Sequence, residues 1–200
     1  MRPFARKTGV TTHALRVDPE GGFAMVARMA ASEKDLLARL DALQIAHRTV
    51  RHPAVFTVEE AKARRGQLPG AHCKSLFLKD RRDGLWLVVM LEHRRTDLKR
   101  LADRLGAPRF SFGSAELLHE VLGVTPGSVT PFAVINDKVG RVTIVLDEEM
   151  MGERPLNYHP LTNEATTAIQ PEDLLRFLAD CGHAPRTLHL SDLERAEAPS

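Results

Sequence analysis

The sequence has few of the residues that support disulfides, metal sites or membrane spans. Of its 200 residues only two are cysteines, Cys73 and Cys181, and they form no C-x-x-C or other metal-ligand spacing. None of the nine histidines stands in an H-E-x-x-H pattern, and no apolar run approaches the roughly 20 residues that a transmembrane helix needs. We therefore expect a protein of the reducing cytoplasm with no metal, no cofactor and no membrane partner.

The composition is that of an ordinary globular protein. Hydrophobic residues make up 43% of the chain and charged residues 27%, and this length is enough to bury one substantial core. We expect a single domain over residues 32–190. Residues 1–31 are predicted to be a flexible extension, although their arginines and few acids also suit a transit peptide. Residues 191–200 are predicted to be a polar tail.

Charge is segregated along the chain. Residues 62–109 hold thirteen Lys and Arg against five Asp and Glu, whereas residues 110–200 hold six against fourteen. A positive segment of this kind is typical of a face that meets phosphates, and a cluster of solvated charges explains it equally well. The net charge of +2 argues against tight, sequence-independent coating of DNA, so no DNA partner is expected.

Local signals predict five helices. Ser32 and Asp35 form a capping box at the first helix, and Thr57-Val58-Glu59-Glu60 is a second capping box. Glycines follow the last apolar residue of the later helices, as expected at helix C-termini. The predicted helices span about 33–45, 57–66, 97–106, 114–123 and 171–182.

Strands are predicted between these helices, and the Asp83-Gly84 pair indicates a tight hairpin. Helices and hairpins interleave without a regular βαβ rhythm. The sequence therefore predicts an α+β fold, with a central twisted, mixed, largely antiparallel sheet and helices packed around it. The predicted strands span about 47–51, 72–79, 85–91, 109–112, 132–136, 142–146, 156–159 and 165–169.

Lys74 is the first candidate for chemistry. It lies near the start of an apolar strand, and alternation along the strand places it on the same side as Leu76 and Leu78. A lysine beside two leucines must extend to the rim or meet a counter-charge. Lys74 is then either a solvated rim residue or a positive charge at the mouth of an apolar pocket, where it binds a phosphate or orients a carbonyl.

The second candidate is the loop that runs from Gly127 to Pro131. Gly127 permits a sharp turn, and Pro131 fixes the exit of the loop into the predicted strand 132–136. Between them, the N–H groups of Ser128, Val129 and Thr130 can converge on one oxygen, as an oxyanion site requires. A G-x-x-x-P pattern is weak evidence by itself, since most such stretches are only loops.

Asn157 and His159 are the third candidates. If both belong to one short strand they share a face and can hydrogen-bond a ribose or a terminal base. A histidine before a proline, here Pro160, is more often structural than catalytic. Cys73 lies beside Lys74, but alternation sends it to the opposite face, and we interpret it as a packing residue rather than a nucleophile.

Four motifs in order along the chain resemble the YbaK-type aminoacyl-tRNA deacylases, relatives of the bacterial prolyl-tRNA synthetase editing domain. The similarity covers roughly residues 32–188, and it is strongest to the free-standing alanyl-tRNA(Pro) deacylases. The four motifs are Val55–Ala61, Cys73–Leu78, Gly127–Pro131 and Leu156–Asn163.

This resemblance implies trans-editing, the hydrolysis of alanine mischarged onto tRNA(Pro), with no metal. It implies that Lys74 anchors the 3′ end of the tRNA, that a ribose hydroxyl helps to activate water, and that Gly127–Pro131 is the catalytic loop. Asn157, His159 and Pro160 would form a wall of the aminoacyl pocket. The implied partners are the acceptor stem and 3′ end of tRNA(Pro), with prolyl-tRNA synthetase and elongation factor as further candidates.

The basic segment would then hold the acceptor stem, and charge and placement single out Lys79, Arg81, Arg82 and Arg109 as its contacts. Two other functions remain open. A deacylase of the same fold can remove cysteine, serine or threonine instead of alanine. A non-catalytic module can bind the 3′ end of a tRNA without hydrolysing it.

Overall fold

The computed structural model describes residues 29–53 and 68–193. Within these residues the chain forms a sheet of eight strands, five α-helices and two short 3-10 helices. The strands are β1 (His47–Arg51), β2 (Ala71–Asp80), β3 (Leu85–Leu91), β4 (Phe110–Phe112), β5 (Val142–Asp147), β6 (Leu156–Tyr158), β7 (Ala165–Ile169) and β8 (Arg186–Leu188). The helices are α1 (Glu33–Ala42), α2 (Leu98–Leu105), α3 (Ala115–Leu122), α4 (Glu148–Met151) and α5 (Pro171–Asp180).

The sheet is mixed, with strand order β1-β7-β6-β2-β3-β5-β8 and β4 beside β2. Four pairs are antiparallel, namely β1–β7, β2–β3, β2–β4 and β6–β7. Three are parallel, namely β2–β6, β3–β5 and β5–β8. This arrangement confirms the predicted α+β fold with a mixed sheet in which antiparallel pairing predominates.

Each face of the sheet carries its own hydrophobic cluster, which explains why β3 is apolar along its whole length. Leu87 and Val89 belong to the first cluster, which also holds the apolar faces of α1, α3 and α5. Val88 and Met90, on the opposite face, belong to the second cluster with the apolar side of α2. Side chains of successive residues in a strand point to opposite faces, so a strand buried on both sides loses its polar alternation.

Most of the local predictions are confirmed. The Ser32 capping box is present, with Ser32 N donating to the Asp35 carboxylate over 2.8 Å. The Asp97 side chain caps α2, and Gly106 ends it in the left-handed conformation with φ 66°. The hairpin at Asp83-Gly84 joins antiparallel β2 and β3. The predicted helix over 57–66 lies outside the described residues. The predicted boundaries of the N-terminal extension (1–31) and of the C-terminal tail (191–200) remain predictions.

The predicted strand over 132–136 is wrong, because residues Pro131–Ile135 form a 3-10 helix. Thr130 caps this helix, with its Oγ1 accepting a hydrogen bond from Phe132 N over 3.4 Å, and Pro131 occupies the first turn. All five residues of the helix are buried. A short apolar run reports burial and does not distinguish a strand from a helix. As a result β5 has no hairpin partner here and pairs with β3 and β8 instead.

Three short elements are absent from the sequence prediction: the single-turn helix α4, the edge strand β8 and a 3-10 helix at Ser191–Leu193. Each has only three or four residues, too few to repeat the patterns that identify helices and strands. None of the helices in the described part of the chain combines the length and apolarity needed to cross a membrane.

Candidate functional site

Lys74 lies in β2 opposite Met90 of β3, on the face of the second cluster. Leu76 and Leu78 belong to the same face, as alternation predicts. The half-buried Lys74 side chain donates from Nζ to the backbone carbonyl of Arg94, in the turn that follows β3. A carbonyl oxygen therefore holds this ammonium at the edge of an apolar surface.

Arg94 is itself buried, with 1% of its surface exposed. Its Nε donates to Asp147 Oδ2 over 2.8 Å, and its Nη2 donates to Glu149 Oε2 over 2.5 Å. Burial disfavours the charged guanidinium, but the attraction of Asp147 and the hydrogen bonds to both carboxylates outweigh it and raise the pKa of Arg94. The turn that holds Lys74 is therefore fastened to the end of β5 by a buried ion pair.

Asn157 of β6 pairs with His72 of β2 and so faces the same side of the sheet as Lys74. It is 2% exposed. Its Nδ2 donates to the carbonyls of Pro69 and Ala71 over 3.0 and 3.2 Å. Its Oδ1 is buried and has no hydrogen-bond partner among the residues that the structure describes.

His159 follows β6 directly, two residues after Asn157, which pairs with His72 of β2. Its Nδ1 lies 3.0 Å from the carbonyl oxygen of Ala165, so this nitrogen carries the proton and donates. His52 approaches from β1, with its Nε2 2.9 Å from Thr166 Oγ1 and its ring centroid 6.4 Å from that of His159. Sequence analysis missed His52 and Thr166, which join the site only through the pairing of β1 with β7.

These strands enclose a small cleft of about 20 Å³. Its described lining is His72, Cys73, Asn157, Tyr158, His159 and Thr166. Pro160, which we predicted to form part of the wall, is buried next to His159 and is not among the described lining residues. Burial raises the pKa of the Cys73 thiol to about 12. A hydrogen bond with the Tyr158 hydroxyl lowers this pKa by less than burial raises it. Cys73 is therefore a neutral thiol at physiological pH, which supports its interpretation as a packing residue.

The loop from Gly127 to Pro131 lies on the other side of the sheet. Val129 packs against the first cluster, and Gly127, with φ 90°, has Asn163 Nδ2 3.9 Å from the place that a Cβ would take. Ser128 N donates within the loop to Thr125 O over 3.0 Å, which removes it from the predicted set of oxyanion donors. The N–H groups of Val129 and Thr130 have no partner in the described part of the chain.

The four candidate tRNA contacts gather at the far end of β2. Arg81 and Arg82 are exposed in the β2–β3 turn, and Arg109 is exposed at the start of β4, which pairs with that end of β2. Lys79 Nζ lies 2.7 Å from Asp83 Oδ1. Lys79 is five residues beyond Lys74, which is about 17 Å at the rise of an extended strand.

A buried carboxylate shapes this basic turn. Asp80 Oδ1 accepts from Arg82 N and Gly84 N over 2.8 and 3.0 Å, and its Oδ2 accepts from Trp86 Nε1 over 3.0 Å. Burial opposes ionisation, but these hydrogen bonds outweigh it and lower the pKa of Asp80. The turn therefore presents its arginines from a rigid base.

Comparison with known families identifies the class of protein. The model of the aminoacyl-tRNA editing domain matches residues 52–177, which include β2 to β7, most of α5 and every candidate site residue. The chain belongs to this family. The resemblance inferred from the four motifs is thus confirmed at the level of the family.

Two relatives of this chain have names that refer to prolyl-tRNA. The chain is 42% identical over 154 residues to the prolyl-tRNA synthetase associated domain-containing protein 1 of Danio rerio, covering 76% of this chain and 84% of that protein. It is 32% identical over 160 residues to the prolyl-tRNA editing protein ProX of Acetoanaerobium sticklandii, covering 80% and 98%. This chain is an aminoacyl-tRNA editing domain related to prolyl-tRNA trans-editing proteins.

Solved structures agree on the fold. A crystal structure of a proposed trans-editing enzyme for prolyl-tRNA synthetase superposes with a TM-score of 0.62 at 21% identity, covering 80% of this chain and 97% of that one. A hypothetical protein of known structure superposes with a TM-score of 0.61 at 20% identity, covering 76% and 96%.

Proposed function

We propose that this chain hydrolyses the ester of alanine mischarged onto tRNA(Pro), in trans and in the cytoplasm. The observation that carries the proposal is the small cleft between β6 and β2, the strand that carries Lys74; Asn157 and His159 line this cleft. Its volume of about 20 Å³ accommodates about one water-sized group. We propose that a cleft of this size favours the methyl side chain of alanine over the larger pyrrolidine ring of proline.

Such a site supplies the discrimination that a synthetase lacks. A pocket built for proline admits the smaller alanine, and one missing methylene is worth only about 1–3 kcal/mol of discrimination. A second site that admits only the smaller side chain removes the error after it is made. The family and the ProX relative support this role for the chain.

The reaction needs little beyond positioning. Water attacks the ester carbonyl, the bond from the carbonyl carbon to the ribose oxygen breaks, and that oxygen leaves with a proton as a ribose hydroxyl. In this proposal the N–H groups of Val129 and Thr130 stabilise the oxyanion, and Lys74 holds the 3′ end of the tRNA. The ribose hydroxyl of the terminal nucleotide assists the attacking water, as the family resemblance implies.

The acceptor stem would lie along the basic end of β2. The strand rise sets Lys79 about 17 Å from Lys74, and Arg81, Arg82 and Arg109 lie at the same end of β2. A charged patch at that separation can hold stem phosphates while the unpaired 3′ nucleotides reach the cleft. Prolyl-tRNA synthetase and an elongation factor are further partners in this proposal.

Deacylation of a panel of mischarged tRNAs tests the proposal directly. The purified protein should hydrolyse Ala-tRNA(Pro) faster than Cys-tRNA(Pro) or Ser-tRNA(Pro) and should leave Pro-tRNA(Pro) intact. Faster cleavage of Cys-tRNA(Pro) or Ser-tRNA(Pro) would move the specificity to another amino acid on the same fold.

The Lys74→Ala variant tests the site. We expect the rate to fall by at least ~100-fold, because a 3′ end that Lys74 no longer holds leaves the ester out of position. Lys138→Ala is the matched control, since Lys138 is an exposed lysine on another part of the molecule. If the wild-type protein binds the tRNA but hydrolyses none of these substrates, it is a sequestering module and not a deacylase.

A further inference from the structure

The amide of Asn157 is held in one orientation. Both of its hydrogens are donated to backbone carbonyls, to Pro69 O over 3.0 Å and to Ala71 O over 3.2 Å. A carbonyl oxygen only accepts, so the opposite flip would place Oδ1 against two other acceptors. The stable orientation is therefore the one in which Nδ2 faces these two carbonyls and Oδ1 points away from them.

That oxygen is buried and unused. Asn157 is 2% exposed, and no described residue donates to its Oδ1. Most buried polar atoms in proteins have a partner, and leaving one without a partner is costly. Asn157 also belongs to the lining of the small cleft, so this residue borders the space where a ligand would lie.

We propose that Asn157 Oδ1 accepts a hydrogen bond from the α-ammonium of the aminoacyl group. This inference rests on the proposed function and adds the residue that recognises the free amine of the substrate. The donor is placed by covalent geometry, because the ammonium and the side chain share the α-carbon. When the side chain of the aminoacyl group lies in the cleft, its ammonium therefore lies close to the wall that Asn157 forms. The terminal 2′-hydroxyl, the other donor of the substrate, is several bonds farther from the side chain.

The polarity of the cleft agrees with this assignment. Its described lining contains no Asp or Glu, so the ammonium would meet a neutral amide oxygen rather than a carboxylate. A hydrogen bond in which one partner is charged is stronger than a neutral one. Asn157 then favours an unblocked amino acid over acyl groups that lack the amine.

A double-mutant cycle between protein and substrate tests the contact. Asn157→Ala and the wild-type protein are each assayed with alanyl-tRNA(Pro) and with lactyl-tRNA(Pro), in which a hydroxyl replaces the ammonium. We expect the wild type to prefer the alanyl ester by roughly 10- to 100-fold, the range of a hydrogen bond to a charged group. The variant should lose this preference.

The second arm uses alanyl-tRNA(Pro) whose terminal adenosine lacks the 2′-hydroxyl. If Asn157 contacts the ammonium, the effect of removing this hydroxyl is the same in the wild type and in Asn157→Ala. Coupling to the 2′-hydroxyl instead of the ammonium would overturn the assignment. Equal losses against alanyl and lactyl esters would also overturn it, because they would show that Asn157 only supports residues 69–71.

Asn136→Ala is the matched control. Asn136 is an asparagine with both ends of its amide satisfied, since Oδ1 accepts from Ala31 N over 2.8 Å and Nδ2 donates to Leu122 O over 2.9 Å. This variant should keep the wild-type preference for the alanyl ester, whatever its stability. A change in preference as large as that of Asn157→Ala would show that the effect is not local to the cleft.

Binding separates this inference from the proposed function. The probes are 3′-alanylamido-3′-deoxyadenosine and its 3′-lactylamido counterpart, which cannot be deacylated, and their affinity is measured by calorimetry. A protein that binds the alanyl probe more tightly only when Asn157 is present supports the contact even if hydrolysis of tRNA is absent. Hydrolysis of alanyl-tRNA(Pro) with equal affinity for both probes supports the proposed function and rejects the contact.

Discussion

Replacing Arg94 with methionine should destabilise the protein and also impair the candidate site. The guanidinium is 1% exposed and meets the carboxylate of Asp147, which is fully buried, over 2.8 Å. The Arg94→Met variant keeps an unbranched apolar side chain but leaves the Asp147 carboxylate in an apolar environment. Asp147 Oδ1 already has no partner among the described residues, so no second donor is in place to compensate.

The magnitude follows from the burial of the pair. Removing one partner of a buried ion pair costs about 3–5 kcal/mol, because the remaining charge stays desolvated and unpaired. The contact with Glu149 adds little, since that carboxylate side chain is 44% exposed and regains water when Arg94 is lost. For a domain of this size a loss of 3–5 kcal/mol lowers Tm by roughly 6–20 °C.

Urea unfolding followed by circular dichroism measures this change, and the neighbouring arginine provides the control. Arg95 is exposed, so Arg95→Met makes the same charge change without uncovering a buried carboxylate and should stay within about 0.5 kcal/mol of the wild type. A free energy of unfolding for Arg94→Met that matches that of Arg95→Met would refute the argument. Because Lys74 donates to the carbonyl of Arg94, we also expect the deacylation rate of Arg94→Met to fall while that of Arg95→Met does not.

Three further predictions concern the basic turn and the buried thiol. Substituting alanine for Arg81 or Arg82 should weaken tRNA binding and reduce the slope of log K against log salt by about one each, without changing the rate at saturating tRNA. Filter binding from about 50 to 200 mM salt measures this slope. An unchanged slope would show that the substituted arginine does not contact a phosphate. Alkylation of Cys73 by iodoacetamide at pH 8 should be much slower in the native protein than in urea, because its pKa is raised to about 12; equal rates would contradict the packing role. The Asp80 carboxylate has a lowered pKa, so its stabilisation is present above its ordinary value near 3.9 and is lost as pH falls through the folded-state value. The stability deficit of Asp80→Asn in urea unfolding should therefore shrink between pH 7 and pH 3, and a constant deficit would show that ionisation of Asp80 does not matter.

Elements whose signals are local could be predicted from the sequence. Ser32 caps α1 through Asp35, three residues away, and Gly106 ends α2 with the left-handed turn that glycine tolerates. The orientation of Lys74 follows from the alternation of a single strand. In each case the residues that decide the structure are near neighbours in the chain.

Features that depend on distant partners could not be predicted. Asp147 pairs with Arg94 across 53 residues, and Pro69 binds the Asn157 amide across 88. Arg94 stands in a basic run that looks solvated, and nothing near it in the sequence indicates burial. The 3-10 helix at Pro131–Ile135 was mistaken for a strand because a buried pentapeptide carries no periodicity long enough to separate the two.

The open edge of β2 explains how groups on opposite faces of the sheet can act on one ester. Lys74 leaves β2 on the side of the second cluster, whereas the Gly127 loop packs on the side of the first. On the edge away from β3, β6 covers Ala71 and His72 and β4 covers Leu78 to Asp80, while the residues between them pair with no described strand.

Backbone geometry directs polar groups into this opening. Glu92 N donates to His72 O, so the alternation of antiparallel hydrogen bonds turns the N–H and C=O of His72 and Lys74 toward β3. The same alternation turns those of Ser75 toward the open edge. An ester bound over either face alone would reach either the ammonium or the loop. For the proposed deacylation we therefore expect the scissile bond to lie at this edge of β2, beside Ser75, which no described strand covers.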